Sequence, residues 1–317
     1  MSAVPGPGQT VSMCSRVIAV VGATATGKSR LAIELARALG GEIVNADSMQ
    51  LYAGMDVGTA KEPQAQRQGV PHHLLDVWPV TRTANVAEYQ ALARAAIEDI
   101  TARGRVPVLA GGSGLYIRAA LDDLHFPGTD SGIRARLEDE LASIGPAALH
   151  HRLARLDPAA AAVILPGNGR RIVRALEVIE ISGRPYAATL PAYQQARPAV
   201  QIGLTLPRPE LDLRIAIRVE RMWQAGFEAE VRCLVAAGLR RGKTASRALG
   251  YQQVLRYLDG ELTLDEARAE TIRATRRFAR RQESWFRRDP RVHWLDASAA
   301  DDEERLLADA LKQVQAR

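Results

Sequence analysis

The segment GATATGKS, from Gly22 to Ser29, has the residue types and the spacing of a phosphate-binding loop. Its glycines allow backbone N–H groups to converge on phosphate oxygens at a helix N-terminus. Lys28 adds a mobile positive charge, and the Ser29 hydroxyl suits a phosphate oxygen or Mg²⁺. The predicted contacts to a diphosphate-like group are Gly22, Ala23, Thr24, Ala25, Thr26, Gly27, Lys28 and Ser29. The pattern does not indicate which molecule carries that group.

Polar residues follow the second apolar segment, in NADSMQLY. Asp47 ends a predicted strand, and the carboxyl ends of strands in such sheets face the ligand crevice. Its position fits a Mg²⁺ ligand, a general base beside a transferred group, or an ordinary helix N-cap. Gln50 suits hydrogen bonding to the edge of a base, and its spacing equally fits a capping box. The spacing alone leaves these alternatives open.

GGSGLY, residues 111–116, predicts a second tight loop at the same edge of the sheet. Ser113 is either a turn residue before the helix LYIRAAL or a hydroxyl near the reacting centre, and the sequence favours neither. His72 and His73 lie in PHHLLD, where no third ligand follows at a useful metal spacing. A hydrogen-bonded structural role is therefore favoured for both histidines.

These residues need elements to position them, and apolar strands alternate with amphipathic helices along the chain. Strands are predicted over 16–23, 41–48, 105–112 and 201–207, and helices over 28–40 and 85–104, with helices following the last strand to the C-terminus. The alternation predicts an α/β fold: a P-loop NTPase-like parallel sheet with helices on both faces. The middle segment, with breaks at GPAA, LPGNG and SGRP, is expected to form a helical insertion domain.

The predicted division has three parts. Residues 1–15 form a disordered tail, because MSAVPGPGQT is rich in Pro and Gly. Residues 16–122 and 198–317 form the P-loop core domain with C-terminal helices, and residues 123–197 form the insertion.

Composition limits the class of protein. The chain has 317 residues, of which 47% are hydrophobic and 25% charged, a typical soluble balance. No apolar run is long enough to span a membrane, and the N-terminus lacks the apolar region of a secretory signal. Two cysteines without metal spacing suit a reducing cytoplasm.

Positive charge is concentrated near the C-terminus. The formal net charge is +6, and residues 267–291 hold nine arginines against Glu270, Glu283 and Asp289. Several of these arginines are four residues apart on a predicted helix, where like charges repel. A phosphate-bearing partner would relieve that repulsion, whereas a solvated helix face accounts equally well for the charge alone.

A set of motifs occurs in a fixed order: GATATGKS, NADSMQLYAGMDVGTAK, PHHLLDV, PVLAGGSGLYIRAAL, RRIVRALEVIEISGRP, GFEAEV, RALGYQQ and ATRRFARRQESWFR. The ordered set resembles the bacterial tRNA dimethylallyltransferases, the tRNA isopentenyltransferase family, over about residues 16–296. The resemblance implies transfer of a dimethylallyl group from dimethylallyl diphosphate to the exocyclic amine of adenine 37 in tRNA, next to the anticodon. It also implies Mg²⁺ as cofactor, the tRNA anticodon stem-loop as partner, C-terminal helices that bind tRNA, a cytoplasmic location and a monomer.

The resemblance also assigns roles to residues. It makes Asp47 the general base, and it places Thr24, Thr26, Gly27, Lys28 and Ser29 on the donor. It gives catalytic roles to Asp47, Lys28, Ser113 and Arg218, of which Arg218 reaches the diphosphate. It also makes Ser29 the metal ligand. The implied tRNA contacts are Asp47, Ser48, Met49, Gln50, Ser113, Arg134, Arg170, Arg171, Ile172, Val173, Arg174, Arg247, Ala248, Leu249, Gly250, Tyr251 and Gln252. Ser29, Met49 and Ser113 depart from the commonest family residues, but both serines keep the hydroxyl.

Two other functions share part of the pattern. A small-molecule or nucleoside kinase has the same loop, lysine and aspartate, and its lid is expected to carry an arginine over ATP. A non-catalytic RNA-binding P-loop module needs no general base, so it predicts that replacing Asp47 by Asn is harmless.

Overall fold

The computed structural model describes residues 16–186, 192–298 and 303–316; the predicted tail, residues 1–15, lies outside them. The strands are β1 (Val17–Gly22), β2 (Gly41–Asn45), β3 (His72–His73), β4 (Val106–Gly111), β5 (Ala199–Thr205) and β6 (Val292–Asp296). The helices are α1 (Lys28–Leu39), α2 (Val86–Ala102), α3 (Gly114–Leu121), α4 (Ser131–Leu156), α5 (Pro158–Val163), α6 (Gly169–Ser182), α7 (Arg208–Gln224), α8 (Phe227–Ala236), α9 (Tyr251–Leu258), α10 (Leu264–Phe286) and α11 (Glu303–Gln315).

The chain divides into two compact units. The first runs from the start of the described residues to Asp123 and resumes at Gln195. The second spans Leu124–Gln194.

A parallel sheet forms the first unit, in the order β3-β2-β4-β1-β5-β6. All six residues of β1 are buried, as expected for a central strand covered on both faces. Ile18 and Val20 join one apolar cluster with residues of α1 and α11. Val17, Ala19 and Val21 alternate to the other face and are also buried. The predicted α/β fold with a parallel sheet is therefore confirmed.

The sequence missed two strands. β6 lies where only helices were expected, and it pairs with β5 from Gln201 opposite Val292 to Thr205 opposite Asp296. Its sequence, VHWLD, is short and only partly buried at the sheet edge, so it lacks the continuous apolar run of a central strand. β3 is two residues long and consists of His72 and His73, which carry no strand signal.

The second unit, considered by itself, is a small helical bundle. α4 is kinked at Gly145, which has a φ of 79° and precedes Pro146, so the predicted break at GPAA is confirmed. α5 ends before LPGNG and α6 ends at Gly183 of SGRP, as predicted. Leu137, Leu149 and Leu153 pack with residues of α5 and α6 in one apolar core.

α10 positions part of the site in the first unit. It starts at a capping box in which Thr263 and Glu266 satisfy each other's backbone N–H groups. Its buried residues, which recur at helical spacing, are Ala267, Thr271, Thr275, Ala279, Gln282 and Phe286. The helix packs against α7 and α9 along this face. Across the described part of the chain, every helix is too short or too polar to traverse a bilayer.

Candidate active site

A cleft of about 390 Å³ opens in the first unit, at the carboxyl ends of the central strands. The loops after β1, β2 and β4 contribute Thr24, Asp47 and Ser113, as expected for ligand sites in open parallel sheets. Helices α7 to α10 form the facing wall. The phosphate loop, NADSMQLY and GGSGLY therefore meet in one cavity.

The phosphate loop is held by its own hydrogen bonds. The Thr26 hydroxyl is buried and donates to the Ala23 carbonyl at 2.9 Å. Thr26 thus supports the loop from inside, whereas Thr24, Lys28 and Ser29 line the cleft. Ala25 has a φ of 66°, a left-handed conformation that is uncommon for residues other than glycine.

Lys28 has an unusual electrostatic environment. Its ammonium donates to the Ala23 carbonyl at 2.5 Å. Burial away from bulk water, reinforced by the positive charge of Arg218, lowers the pKa of Lys28 to about 7, and the Asp47 carboxylate partly opposes the shift. Two cations and one carboxylate therefore act on each other across the cleft. The lowered pKa marks a site that gains from an incoming anion.

Asp47 is held by a turn. The buried Asn45 side chain accepts from the Asp47 N–H at 2.9 Å and donates to the Asp47 carbonyl at 3.0 Å. Asp47 Oδ1 accepts from the Met49 N–H at 2.9 Å, so one carboxylate oxygen closes an Asx turn. Among the residues that the structure describes, no donor bonds to Oδ2. The N-cap interpretation is thus replaced by a turn that leaves one oxygen for chemistry.

Ser113 and Gln50 line the same cleft as Asp47. The Ser113 hydroxyl accepts from the Ser48 N–H at 3.3 Å and lies 3.4 Å from the Ser48 hydroxyl. It makes no side-chain cap on α3, so the structure favours the interpretation that places it in the site. The Gln50 amide nitrogen donates to the Thr59 carbonyl at 3.2 Å, so its carbonyl oxygen is left to accept.

Arg218 lines the cleft from α7, and its guanidinium donates to the Thr59 carbonyl at 3.4 Å. Burial lowers the pKa of Arg218, and Asp47 opposes that shift. The loop that presents Thr59 is fixed by Glu230. The Glu230 carboxylate accepts from the N–H groups of Asp56, Val57 and Gly58 at 3.0, 2.6 and 3.1 Å.

Sequence reasoning missed Glu230 and the apolar wall of the cleft. Met222, Phe227 and Phe278 line the cavity together with Val219. They occupy helical core spacings, so nothing in the pattern distinguishes them from ordinary core residues. GFEAEV, which contains Phe227 and Glu230, carries weight only as one motif of the ordered set.

The segment Arg247–Gln252 lies beside this wall. Arg247, Ala248, Leu249, Gly250 and Tyr251 line the cleft, whereas Gln252 is exposed at the start of α9. The Tyr251 hydroxyl donates to Glu230 at 2.6 Å. Tyr251 is fully buried. Through Glu230 it supports the loop that contains residues 56–58.

The remaining sequence candidates lie in the second unit. Arg134 and Arg174 both pair with the buried Glu177, at 2.6 and 2.9 Å. Ile172 and Val173 are buried in that unit's core, so their side chains face α4 and α5 residues instead of solvent. Arg170 and Arg171 are exposed.

The two histidines have the hydrogen-bonded role that was favoured. His72 Nδ1 lies 2.8 Å from the Val70 carbonyl, and His73 Nε2 lies 2.7 Å from Glu42. Glu42 also pairs with Arg103, and these bonds lower the pKa of Glu42 to about 2. The network fastens β3 to β2.

Eight of the nine arginines of 267–291 separate into two groups, and the ninth, Arg268, lies 3.7 Å from Glu220 and 4.0 Å from Asp265. Arg276 donates to the Asp212 carbonyl, Arg287 lies over the Trp294 ring at 4.4 Å, and Arg291 pairs with Asp122 and Asp289. These arginines hold the fold together. Those exposed on α10 and its end, without an ion pair among the described residues, are Arg273, Arg277, Arg280, Arg281 and Arg288.

The sheet and the loop between β1 and α1 place this chain in the phosphate-loop class of α/β proteins. A sequence model described as IPPT, IPP transferase, matches residues 50–289. The chain is 69% identical to the tRNA dimethylallyltransferase of Thermobifida fusca over 299 residues, covering 93% of this chain and 94% of the relative. It is 68% identical to the enzyme of the same name from Streptomyces coelicolor, covering 91% and 93%. The chain belongs to the IPP transferase family.

Solved structures agree. The tRNA isopentenylpyrophosphate transferase of Bacillus halodurans is 38% identical, with a TM-score of 0.69 and coverage of 95% of this chain and 97% of that one. A eukaryotic dimethylallyltransferase acting on tRNA is 25% identical, with a TM-score of 0.82 and coverage of 96% and 80%. The resemblance drawn from the sequence motifs is thereby confirmed.

Proposed function

We propose that this chain transfers a dimethylallyl group from dimethylallyl diphosphate to the exocyclic amine of adenine 37 in tRNA, next to the anticodon. The observation that carries the proposal is the meeting of Lys28, Arg218 and Asp47 in one cleft beside an apolar wall. The two cations suit a diphosphate, the wall suits a short branched hydrocarbon, and the carboxylate suits an amine that must lose a proton.

These groups account for the bonds, the electron pair and the proton of the proposed reaction. The adenine nitrogen forms a bond to the allylic carbon while the carbon–oxygen bond breaks, and the electron pair leaves with the diphosphate. Negative charge grows on the leaving oxygens, where Lys28, Arg218 and the loop N–H groups stabilise it. The amine proton passes to Asp47. A base placed in this way contributes about 10²–10⁴-fold, which matters because the amine lone pair is delocalised into the ring.

Mg²⁺ is part of the proposal. The cleft offers the Ser29 hydroxyl as a hard oxygen donor, the type that Mg²⁺ prefers. Among the described residues, His, Cys, Asp and Glu form no cluster of three that would hold a metal alone. On the protein side, the Ser29 hydroxyl would hold the ion. When bound, the ion would neutralise charge on the leaving group.

The proposed binding of tRNA is supported by the exposed basic residues. We propose that Ser48, Met49 and Gln50 meet the target nucleotide, and that the exposed Arg247 and Gln252 contact the tRNA. Other exposed arginines grip the anticodon stem. Taking adenine 37 out of its stack costs a few kcal/mol, which phosphate contacts must offset. Because tRNA is the proposed acceptor, we place the reaction in the cytoplasm. The family resemblance suggests a monomer, which light scattering would check.

One experiment separates this proposal from the kinase and the non-catalytic module. The protein is incubated with dimethylallyl diphosphate carrying label in the prenyl group, unmodified tRNA and Mg²⁺, and separately with ATP. Label that appears on adenine 37 after nuclease digestion is the expected result. Loss of phosphate from ATP without prenyl transfer would support the kinase, and tRNA binding with neither reaction would support the module.

A further inference from the structure

Gln282 lies at the base of the cleft, between two loops that the chemistry requires. It projects from the buried face of α10 and is only 6% exposed. Its amide oxygen accepts from the Thr24 N–H of the phosphate loop at 2.9 Å. Its amide nitrogen donates to the Gly112 carbonyl, also at 2.9 Å. One side chain therefore joins the loop after β1 to the loop after β4.

The fit leaves little freedom. A Cβ added at Gly112 would come within 2.2 Å of the Gln282 amide nitrogen, so the backbone lies directly against the side chain. A Cβ at Gly114 would come within 2.1 Å of the Trp285 ring, on the same helix. A buried amide group without a hydrogen-bond partner costs free energy, so both hydrogen bonds of Gln282 are expected to persist.

The bonds have a consequence for both substrates. The Thr24 N–H is committed to Gln282, so the diphosphate is left with other loop N–H groups and the side chains of Lys28 and Ser29. Gly112 precedes Ser113, whose hydroxyl contacts Ser48 beside Asp47. A shift of one loop against the other would change the distance between the donor and the base.

We propose that Gln282 is a positioning residue for prenyl transfer, holding the donor loop and the Gly112–Ser113 loop at the separation that brings the allylic carbon to the amine. This inference rests on the proposed function. Misplacing reacting groups by about 1 Å costs roughly 10²-fold in rate. Loss of Gln282 should therefore appear in the chemical step, with much less effect on donor affinity.

The test compares two buried glutamines. Gln282→Met keeps the length of the side chain and removes both bonds. Gln201→Met makes the same change on β5, where Gln201 is 1% exposed and donates to Asp289 away from the cleft. Single-turnover transfer at saturating donor and tRNA, donor Kd and Tm are measured for both variants.

We expect Gln282→Met to slow transfer by about 10–100-fold, with a donor Kd within threefold of the parent. Gln201→Met should transfer at the parent rate, even if its Tm falls as much as that of Gln282→Met. A rate for Gln282→Met within threefold of the parent, or a loss confined to donor Kd, would overturn the proposal.

Gln282→Glu separates positioning from packing. An ionised glutamate accepts from Thr24 but cannot donate to Gly112, whereas the protonated acid does both. Its rate relative to the parent should therefore rise as the pH falls, and a ratio independent of pH would contradict the proposal. Should the parent itself transfer no label to tRNA, the proposed function fails first, and this inference with it.

Discussion

At the scale of single residues, two cationic side chains and one carboxylate act on each other in the cleft. Lys28 and Arg218 repel each other, and burial adds to the cost of both charges. Asp47 offsets part of that cost. A diphosphate would supply the missing negative charge, so donor binding and protonation are linked.

The first prediction follows from the Lys28 pKa of about 7. Above pH 7 the ammonium loses its proton in the free protein, whereas bound diphosphate favours the charged form and raises the pKa. Donor binding must then take up a proton, so affinity should fall by up to about tenfold per pH unit above 7 and level off below it. Donor Kd between pH 6.5 and 9 checks this.

Calorimetry at pH 8 in buffers of different ionisation enthalpy would show the proton uptake directly. Lys28→Arg is the control, because arginine stays charged over this range and should abolish the slope. A parent affinity that does not change between pH 7 and 9 would show that Lys28 is already charged in the free protein.

The second prediction separates a base from a metal ligand at Asp47. Asp47→Asn keeps an oxygen that accepts from the Met49 N–H, so the turn should persist. Donor and tRNA should bind within a few-fold of the parent, while single-turnover transfer falls by roughly 10²-fold or more. Added Mg²⁺ should not restore the rate.

Asp259→Asn removes an exposed carboxylate that pairs with Arg240, and it should transfer normally. Recovery of Asp47→Asn across a Mg²⁺ titration would instead make Asp47 a metal ligand.

The residues that the sequence revealed are those with a local pattern. The phosphate loop carries its own spacing, and Asp47 and Ser113 follow apolar strands. Gln282 and Glu230 act through contacts across 258 and 172 to 174 positions of the chain. A lone glutamine in an arginine-rich helix, or a glutamate among helix surface residues, has no spacing that would reveal such contacts.

At the scale of elements, the loop after Met55 depends on α8. Glu230 accepts from three consecutive backbone N–H groups and from the Tyr251 hydroxyl. Gly58 has no room for a side chain, since a Cβ would come within 2.1 Å of the Phe227 ring. This loop presents the Thr59 carbonyl to Arg218 and Gln50, so a helix outside the sheet positions groups in the cleft.

The third prediction is that Glu230→Gln loosens this loop. A neutral amide has one acceptor oxygen, and its NH₂ group would face backbone donors. Because hydrogen bonds to charged groups contribute about 1.5–3 kcal/mol, the free energy of unfolding should fall by roughly 1–3 kcal/mol. Hydrogen exchange at residues 56–60 should accelerate, and donor affinity should weaken several-fold through Arg218.

Glu228→Gln on the same helix is the matched control. Glu228 pairs with Arg232 at the surface, and such i,i+4 pairs contribute about 0.3–0.5 kcal/mol. Equal exchange at residues 56–60 in Glu230→Gln and the parent would show that packing of Gly58 alone holds the loop.

Element prediction succeeded where periodicity was strong. β1, β4 and β5 are apolar runs, and α1 and α2 have clear helical spacing. The sequence did not predict β3 and β6, because a parallel strand at the edge of a sheet depends on its partner strand more than on its own residues. His73 is held by Glu42 across the β2–β3 pair. No feature of PHHLLD indicates that contact.

At the scale of the whole molecule, net positive charge is the property that a polyanionic partner would sense. The formal net charge of +6 does not say which arginines are available. The structure answers this for α10 and the residues that follow it, because Arg276, Arg287 and Arg291 contact protein groups. Arg273, Arg277 and Arg280 are exposed at positions four and three apart, as one stripe on the helix.

The fourth prediction assigns that stripe to phosphate binding. Arg273, Arg277 and Arg280 are exposed, and replacing all three by Gln leaves the buried face of α10 unchanged. Each arginine that no longer binds a phosphate should reduce the slope of log K against log salt by about one unit, so tRNA affinity should weaken most at low salt. Binding isotherms from about 50 to 200 mM salt give the slope.

A charge-matched control removes three exposed cations on other elements, namely Arg30, Arg232 and Lys312. That control should keep the parent slope; if the slope falls equally in the two triple variants, the effect reflects net charge alone and the stripe has no specific role.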